Sequence, residues 1–395
     1  MAKLVQYLIS TILIVPYVLS HIAPRREDLW VFGADKGDSF TGNPKYEFLY
    51  VSNNVERITA VWITDDPDVE EELRARGYSV RRRSTVGAKV VTLRAGVAFL
   101  SHELRDVVWW CTGGATIVQL WHGVSFKEKG WITREKQGTS ILPVKLFKQY
   151  VILNYDYFIT TSDNLEALHR EAFWVPPERI LPLGYPRHDV LFDEIPGEDL
   201  GFQDGYDRWT TGGDDTQVLY LPTWRDTGAD PLTDNDMGLD RLDELLSEWD
   251  ARLLIKLHPY TDRGDASASG YDNIEISTDN FDIYPVLRNT DLLITDYSSV
   301  FSDFLILDRP LVFYAYDYDE FRRRNRELYF DYSEFTPGPI CRDSEELYEQ
   351  LQLALVESED ASRHDRREIR EYFFDNVDAR SSERVADYFL SRVRS

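Results

Sequence analysis

Ten short runs of β-branched and aromatic residues, alternating with helical or loop stretches, constrain this chain more than any other feature. Five lie in the first half: LWVFG (29–33), ITAVWI (58–63), VVWW (107–110), TIVQLW (116–121) and YFITTS (157–162). Five lie in the second: QVLYLP (217–222), RLLIKL (252–257), NIEI (273–276), DLLIT (291–295) and PLVFY (310–314). Continuous apolar strands separated by helices build parallel sheets covered on both faces. Between the two sets, residues 195–217 are rich in Gly and Asp and carry no apolar period, which marks a domain boundary. The expected fold is α/β: two Rossmann-like, doubly wound parallel-sheet domains facing a cleft, with ligands at the carboxyl ends of the strands. They divide as 28–200 and 201–378, with an N-terminal apolar helix over 1–27 and a C-terminal helix over 379–395. Neither a G-x-G-x-x-G nor a Walker A signature is present, and no repeat of solenoid length.

Charge narrows the function classes. Sixty-nine acidic against 44 basic side chains give −25, the wrong sign for a general nucleic-acid binder. Only ten of the basic residues are lysine, and an acidic surface that keeps arginine fits a high-salt habitat, where counterions screen self-repulsion. One stretch departs from this. Lys127, Lys129, Arg134, Lys136, Lys145 and Lys148 face only Glu128 and Glu135, a local +4 that suits a polyanionic acceptor or an anionic lipid surface. Cys111 and Cys341 stand far apart with no CxxC pair, so a disulfide framework or zinc knuckle is excluded.

Leu4 to Ala23 carry no charge and are just long enough to span a bilayer. Pro16, the polar Gln6, Ser10 and His21, and the strand that soon follows argue against a simple span. At 100° per residue Lys3, Gln6, Ser10, Tyr17 and His21 fall on one narrow polar stripe, as in a helix lying in a membrane interface. A spanning anchor and an ordinary buried helix stay open as alternatives. No small-residue cleavage site follows, so a cleaved signal peptide is not expected.

Five constellations are suited to chemistry. QLWHGVSFKEKGW (119–131) places His122 and Gly123 where an apolar strand ends, and imidazole takes a proton near neutral pH. LLIKLHPY (253–260) repeats this in the second half, with Lys256 and His258 on one side of a strand. DLLITDYSSVFSDFLIL (291–307) runs from a strand into Ser298 and Ser299 at a helix start, a geometry that caps the helix or cradles phosphate. Asp303 follows one turn later, as a ribose contact or a solvated acid. LYLPTWRD (219–226) offers Thr223 and Arg225, the arginine meeting phosphate or pairing with Asp226. LGYPRHDVL (183–191) offers Gly184, Arg187 and His188 as hinge and phosphate contact. No acidic pair follows a strand in the manner of a metal-bridged diphosphate site, so no metal is expected.

These motifs, in this order and together with NPKYEFLYV (43–51), YDYDEFRRRNRELYFDY (316–332) and FFDNVDARSSERVADYF (373–389), resemble the CDP-glycerol glycerophosphotransferase family, the enzymes of teichoic acid synthesis. The resemblance spans essentially 28–390. It implies a GT-B fold and a metal-independent transferase without cofactor, peripheral at the cytoplasmic face of the membrane. The donor would be CDP-glycerol or another CDP-polyol and the acceptor a lipid-linked or polymeric hydroxyl, with CMP released. By the same resemblance His122 is the general base, and His258 stabilises the transferred phosphate. Ser298, Ser299 and Arg225 hold the cytidine diphosphate, and Asp303 meets the ribose. A GT-B glycosyltransferase and a non-catalytic nucleotide-binding relative are the competing readings.

Overall fold

The computed structural model describes residues 12–124, 154–201, 207–210, 215–223, 225, 232, 237–257, 270–279, 281–324 and 332–392. They form two compact units. Unit 1 holds the described residues up to His122, those from 154 to Gly201 and those from Phe374 onward; unit 2 holds Gly123, Val124 and those from 207 to Phe373.

Unit 1 is built on β1 (Arg26–Gly33), β2 (Thr59–Thr64), β3 (Val80–Arg82), β4 (Ala95–Leu100), β5 (Thr116–Gln119), β6 (Tyr157–Ile159) and β7 (Ile180–Leu181). All pair in parallel, in the order β3-β2-β1-β4-β5-β6-β7. Unit 2 is built on β8 (Thr216–Leu221), β9 (Ala251–Lys256), β10 (Ile274–Ser277), β11 (Leu292–Thr295), β12 (Leu311–Tyr314) and β13 (Ile340–Cys341). Its order is β10-β9-β8-β11-β12-β13, again parallel throughout. Each sheet therefore starts in the middle, runs outward and returns to the other side. Its order reverses at one point, between β1 and β4 in unit 1 and between β8 and β11 in unit 2, and ligands bind doubly wound sheets beyond such points.

The cores explain the strand choice. Trp30, Phe32, Phe99, Phe48 and Trp62 are fully buried in unit 1, and Phe32 stacks on Phe99 with ring centroids 4.9 Å apart. In unit 2, Val218, Tyr220, Leu253, Ile255, Leu292, Ile294, Val312 and Tyr314 bury one sheet face beneath Leu242, Leu246, Leu347 and Leu351. Each such side chain contributes about 1.5–3 kcal/mol by leaving water.

Nine of the ten expected runs contain a strand, and VVWW (107–110) does not. Val107, Val108 and Trp109 are buried inside a loop and the 3₁₀ turn Trp109–Cys111, so that run is apolar because it is covered, not because it is extended. The central place beside β1 belongs to AGVAFL of β4. Its small residues hide its strand character, yet a Cβ at Gly96 would lie 2.7 Å from Arg26 O of β1.

Among the described residues no helix is long and apolar enough to cross a membrane. The N-terminal segment contributes the helix Ile14–Ser20, and Pro16 is tolerated in its first turn, where N–H groups have no intrahelical acceptor. Of the expected polar stripe, Tyr17 packs on protein, its ring 6.0 Å from that of Trp109. Beside it, Ser20 Oγ accepts the Gly113 N–H at 2.9 Å. Ile12, Val15, Val18, Leu19 and Ile22 are exposed. Lys3, Gln6 and Ser10 lie outside the described residues.

The C-terminal helix Ser381–Leu390 belongs to unit 1. Asp189 fastens it, accepting the N–H groups of Ser381 and Ser382 at 2.8 Å each. Asp189→Ala should therefore leave two buried donors unpaired and cost about 1–3 kcal/mol. Urea unfolding checks this, and limited proteolysis should release the C-terminal helix first. An unchanged midpoint and cleavage pattern would dismiss the cap.

Candidate functional site

In unit 1 the loops leaving β1 and β4 are held by one carboxylate. Asp106 is fully buried; its Oδ2 accepts the N–H groups of Ser101 (2.9 Å), His102 (2.7 Å) and Glu103 (3.3 Å), and its Oδ1 that of Lys36 (2.8 Å). Burial pushes its carboxyl up to about 6, and these donors resist the rise. Gly33 ends β1 because a Cβ there would meet Asp106 O at 2.2 Å. The loop is thereby locked against the sheet edge, with the Ser101 carbonyl fixed in place.

That carbonyl sets the state of His122, which follows β5. His122 Nδ1 lies 3.1 Å from Ser101 O. A carbonyl only accepts, so Nδ1 carries the proton and Nε2 is the basic nitrogen of the neutral ring. The ring stacks on His102 at 4.2 Å and 7°, and the Trp121 ring lies 4.1 Å away. His102 is fixed in turn: its carbonyl accepts from Tyr155 Oη at 2.9 Å and Gln119 Nε2 at 3.1 Å. A neutral imidazole with a fixed tautomer is suited to abstracting a proton. Arg187 and His188 are buried in the same unit. The Arg187 guanidinium lies 5.5 Å from the Tyr185 ring, and His188 lies between Tyr185 and Phe374. Both side chains are buried against aromatic rings.

In unit 2 the ends of β8 and β11 are joined by the fully buried Asp296, which accepts the Thr223 N–H at 2.8 and 3.1 Å and the Tyr297 N–H. Arg225 Nη1 pairs with Asp296 at 2.9 Å, while Nε and Nη2 grip Asp317 at 2.8 and 3.0 Å. Tyr297, Tyr316 and Phe321 surround the guanidinium, with ring centroids 5.2–5.8 Å from it. Burial opposes the Arg225 charge, and the two carboxylates outweigh it. Arg225, expected to meet phosphate or Asp226, pairs with Asp296 and Asp317; Asp226 lies outside the described residues. Asp303, expected at a ribose, is buried and accepts the Tyr284 hydroxyl at 2.6 Å.

Ser298 and Ser299 precede the short helix Val300–Phe304, and both are half-buried. Ser299 makes no side-chain cap bond, and Ser298 Oγ accepts the Val300 N–H only at 3.4 Å. Capping does not account for this pair. So short a helix adds little dipole, leaving the hydroxyls themselves as the polar feature. Thr223 Oγ1 is buried with no partner among the described residues. Lys256 ends β9 with Nζ 4.7 Å from the Phe281 ring; burial lowers its proton affinity, and Asp282 and Asp279 partly restore it. His258, Lys127, Lys129, Lys136, Lys145 and Lys148 lie outside the described residues. Among the described residues no group of three or more His, Cys, Asp or Glu is placed to hold a metal.

Reading the sequence missed Asp106, His102, Asn43 and Asp317. Each acts through a partner remote in the chain or through backbone groups, so only a buried acid or amide beside an apolar run hints at it.

A family model described as CDP-Glycerol:Poly(glycerophosphate) glycerophosphotransferase matches residues 15–391. The chain is 28% identical to the teichoic acid poly(glycerol phosphate) polymerase of Staphylococcus epidermidis, over 81% of this chain and 45% of that protein. It is 31% identical to the teichoic acid ribitol-phosphate primase of Bacillus spizizenii, over 70% of each. The chain thus spans less than half of the polymerase's length. A solved structure of a variant of the wall teichoic acid polymerase TagF, soaked with CDPG, superposes with a TM-score of 0.78 at 25% identity, covering 99% of this chain and 98% of that one. The fold is accordingly GT-B-like.

The Arg225 cluster yields a stability prediction. Arg225→Met should cost about 3–5 kcal/mol, because Asp296 is left buried without a counter-charge. Arg225→Lys should cost less, since an ammonium keeps the charge but loses the fork. Chemical denaturation separates the two; a Met variant within ~1 kcal/mol of wild type would mean the cluster contributes little.

Proposed function

The chain belongs to the CDP-glycerol:poly(glycerophosphate) glycerophosphotransferase family, and from that premise we propose that it transfers glycerol phosphate, or a similar polyol phosphate, from a CDP-linked donor to a hydroxyl of a membrane- or polymer-linked acceptor, releasing CMP. The observation that carries this reading is His122 at the end of β5, whose Nδ1 faces the Ser101 carbonyl at 3.1 Å and so leaves Nε2 as the nitrogen that can take a proton. The acceptor hydroxyl attacks the β-phosphorus and forms the new P–O bond. Its proton passes to His122 Nε2, the bridging bond to that phosphorus breaks, and CMP leaves with the bridging oxygen. General-base assistance of this kind contributes about 10²–10⁴ in rate.

Ser298, Ser299, Thr223 and Lys256 are assigned to the diphosphate, supported by their hydroxyls and cation beyond the ends of β8, β9 and β11. His258 is assigned to charge on the transferred phosphate. Arg225 is a positioning residue: it ties Asp296 to Asp317 and so fixes where Thr223 and Ser298 stand. Asp303 and Arg187 serve the fold. No step in this reading passes through a metal.

His122→Ala and His258→Ala should each lower CMP release from CDP-glycerol by about 10² or more with folding intact. Near-normal turnover in both would remove the mechanism. Nucleoside diphosphate released from UDP- or GDP-sugars would favour a glycosyltransferase, and CDP-glycerol binding without turnover beside authentic acceptor a non-catalytic relative.

For localisation we propose peripheral attachment at the cytoplasmic face of the membrane. The helix Ile14–Ser20 and the helix Val86–Arg94 both pack on the turn Trp109–Cys111. The first leaves Val15, Val18 and Leu19 exposed and the second Val86 and Val90, an apolar surface suited to lipid. Lys127, Lys129, Lys136, Lys145 and Lys148 would add attraction to anionic headgroups or acceptor. Val15→Asp, Leu19→Asp and Ile22→Asp combined should abolish sedimentation with vesicles of anionic lipid. Wild-type sedimentation by that variant would end the attachment proposal.

A further inference from the structure

We infer that Asn43 is a positioning residue for His122, an inference that rests on the reading of His122 as the base. Asn43 lies at the start of the helix Gly42–Asn54 and is fully buried. Its Nδ2 donates to Leu120 O and to Trp121 O, each at 2.9 Å, and its Oδ1 accepts the Arg187 N–H at 3.2 Å. These partners fix which end of the amide is which, since carbonyls require a donor and an N–H an acceptor.

Two consecutive carbonyls on one amide is not strand geometry. In an extended strand successive residues point to opposite sides, and a single side chain cannot reach both carbonyls. Here Leu120 still gives its N–H to Leu100 O of β4, at 2.8 Å, while its carbonyl is withdrawn from the sheet. Trp121 has turned into the left-handed region, with φ 59°, which a residue bearing a Cβ adopts only when held. Gln119 Oε1 holds its N–H at 2.9 Å, and Asn43 holds its carbonyl. His122 is the next residue. The strained turn sets the direction in which its side chain leaves the backbone, and Ser101 O then fixes the ring. Asn43 acts on the first of these steps, and Ser101 and Asp106 on the second.

Side chains of similar or smaller size do not reproduce this amide. Aspartate has the shape but no donor, and would set a carboxylate against two carbonyl oxygens. Alanine leaves both carbonyls buried without Asn43's donors, as Leu120 is fully buried and Trp121 nearly so. Serine offers one hydroxyl on a shorter arm. The amide's other end ties Arg187 to the same turn, so Leu120, Trp121 and Arg187 are registered to each other through one residue.

The test uses the full-length chain with Asn43→Asp, the milder Asn43→Ser and, as reference, His122→Ala. Folding is followed by circular dichroism and melting, donor binding by titration with CDP-glycerol, and His122 by its ring proton–carbon signal, identified by its loss in His122→Ala. Asn43→Asp should lower kcat about 10- to 100-fold with donor affinity within about threefold of wild type, and Asn43→Ser should fall between. The His122 signal should shift in both, while that of His364, on the unit 2 helix Arg363–Phe373, stays in place. If Asn43→Asp does not fold, Asn43→Ser decides alone. A kcat within about twofold of wild type in a folded variant, an unmoved His122 signal, or donor affinity lost in step with kcat would overturn the inference. Full activity of His122→Ala would instead overturn the reading of His122 as base, and the ring signal would still judge the positioning.

Discussion

One buried carboxylate holds the working edge of each sheet. Parallel strands end together, so the loops leaving them present N–H groups that no strand can pair. Where the strand order reverses, two such loops part in opposite directions and a gap opens. Asp106 in unit 1 and Asp296 in unit 2 are each fully buried beside that gap, and each accepts N–H groups from both departing loops. Burying an ionised group is costly unless its oxygens are satisfied, which makes these loop conformations obligatory instead of optional. The rigidity that a site demands follows from a solvation constraint.

The units satisfy their acid differently. Asp106 has backbone N–H donors and the Ser101 hydroxyl within reach. Asp296 adds a guanidinium shared with Asp317 and enclosed by aromatic rings. The first arrangement leaves a carbonyl fixed beside an imidazole. The second leaves the hydroxyls of Ser298 and Ser299 beyond a strand end. In the proposed reaction that divides the labour, with proton transfer falling to unit 1 and phosphate binding to unit 2.

Much of the fold was legible in the sequence, for a reason of solvation. Strands covered on both faces must be apolar throughout, so runs such as TIVQLW and DLLIT stand out. AGVAFL escaped notice because close contact with β1 demands glycine at position 96, and glycine and alanine carry no strand signature. VVWW misled because burial in a loop selects the same residues as burial in a sheet. Within the site, His122 announced itself as a polar residue at the end of an apolar run. Asn43 did not, since it acts on carbonyls 77 and 78 positions away that no local pattern encodes. Arg225 and Asp303 were legible as residues, but their protein partners Asp317 and Tyr284 were not, because those come from other elements.

The chain's return to unit 1 bears on how the molecule is made. Asp189 lies in the first half, and the two N–H groups that it accepts belong to Ser381 and Ser382. Synthesis is vectorial, and domains completed early ordinarily fold while the remainder is still being translated. Unit 1 cannot complete its fold by that route. Its acid waits uncapped, and the apolar surface that will meet Val385, Ala386 and Phe389 stays bare, until all of unit 2 has emerged from the ribosome. The half made first is thus the half finished last, after an interval set by the length of the other unit.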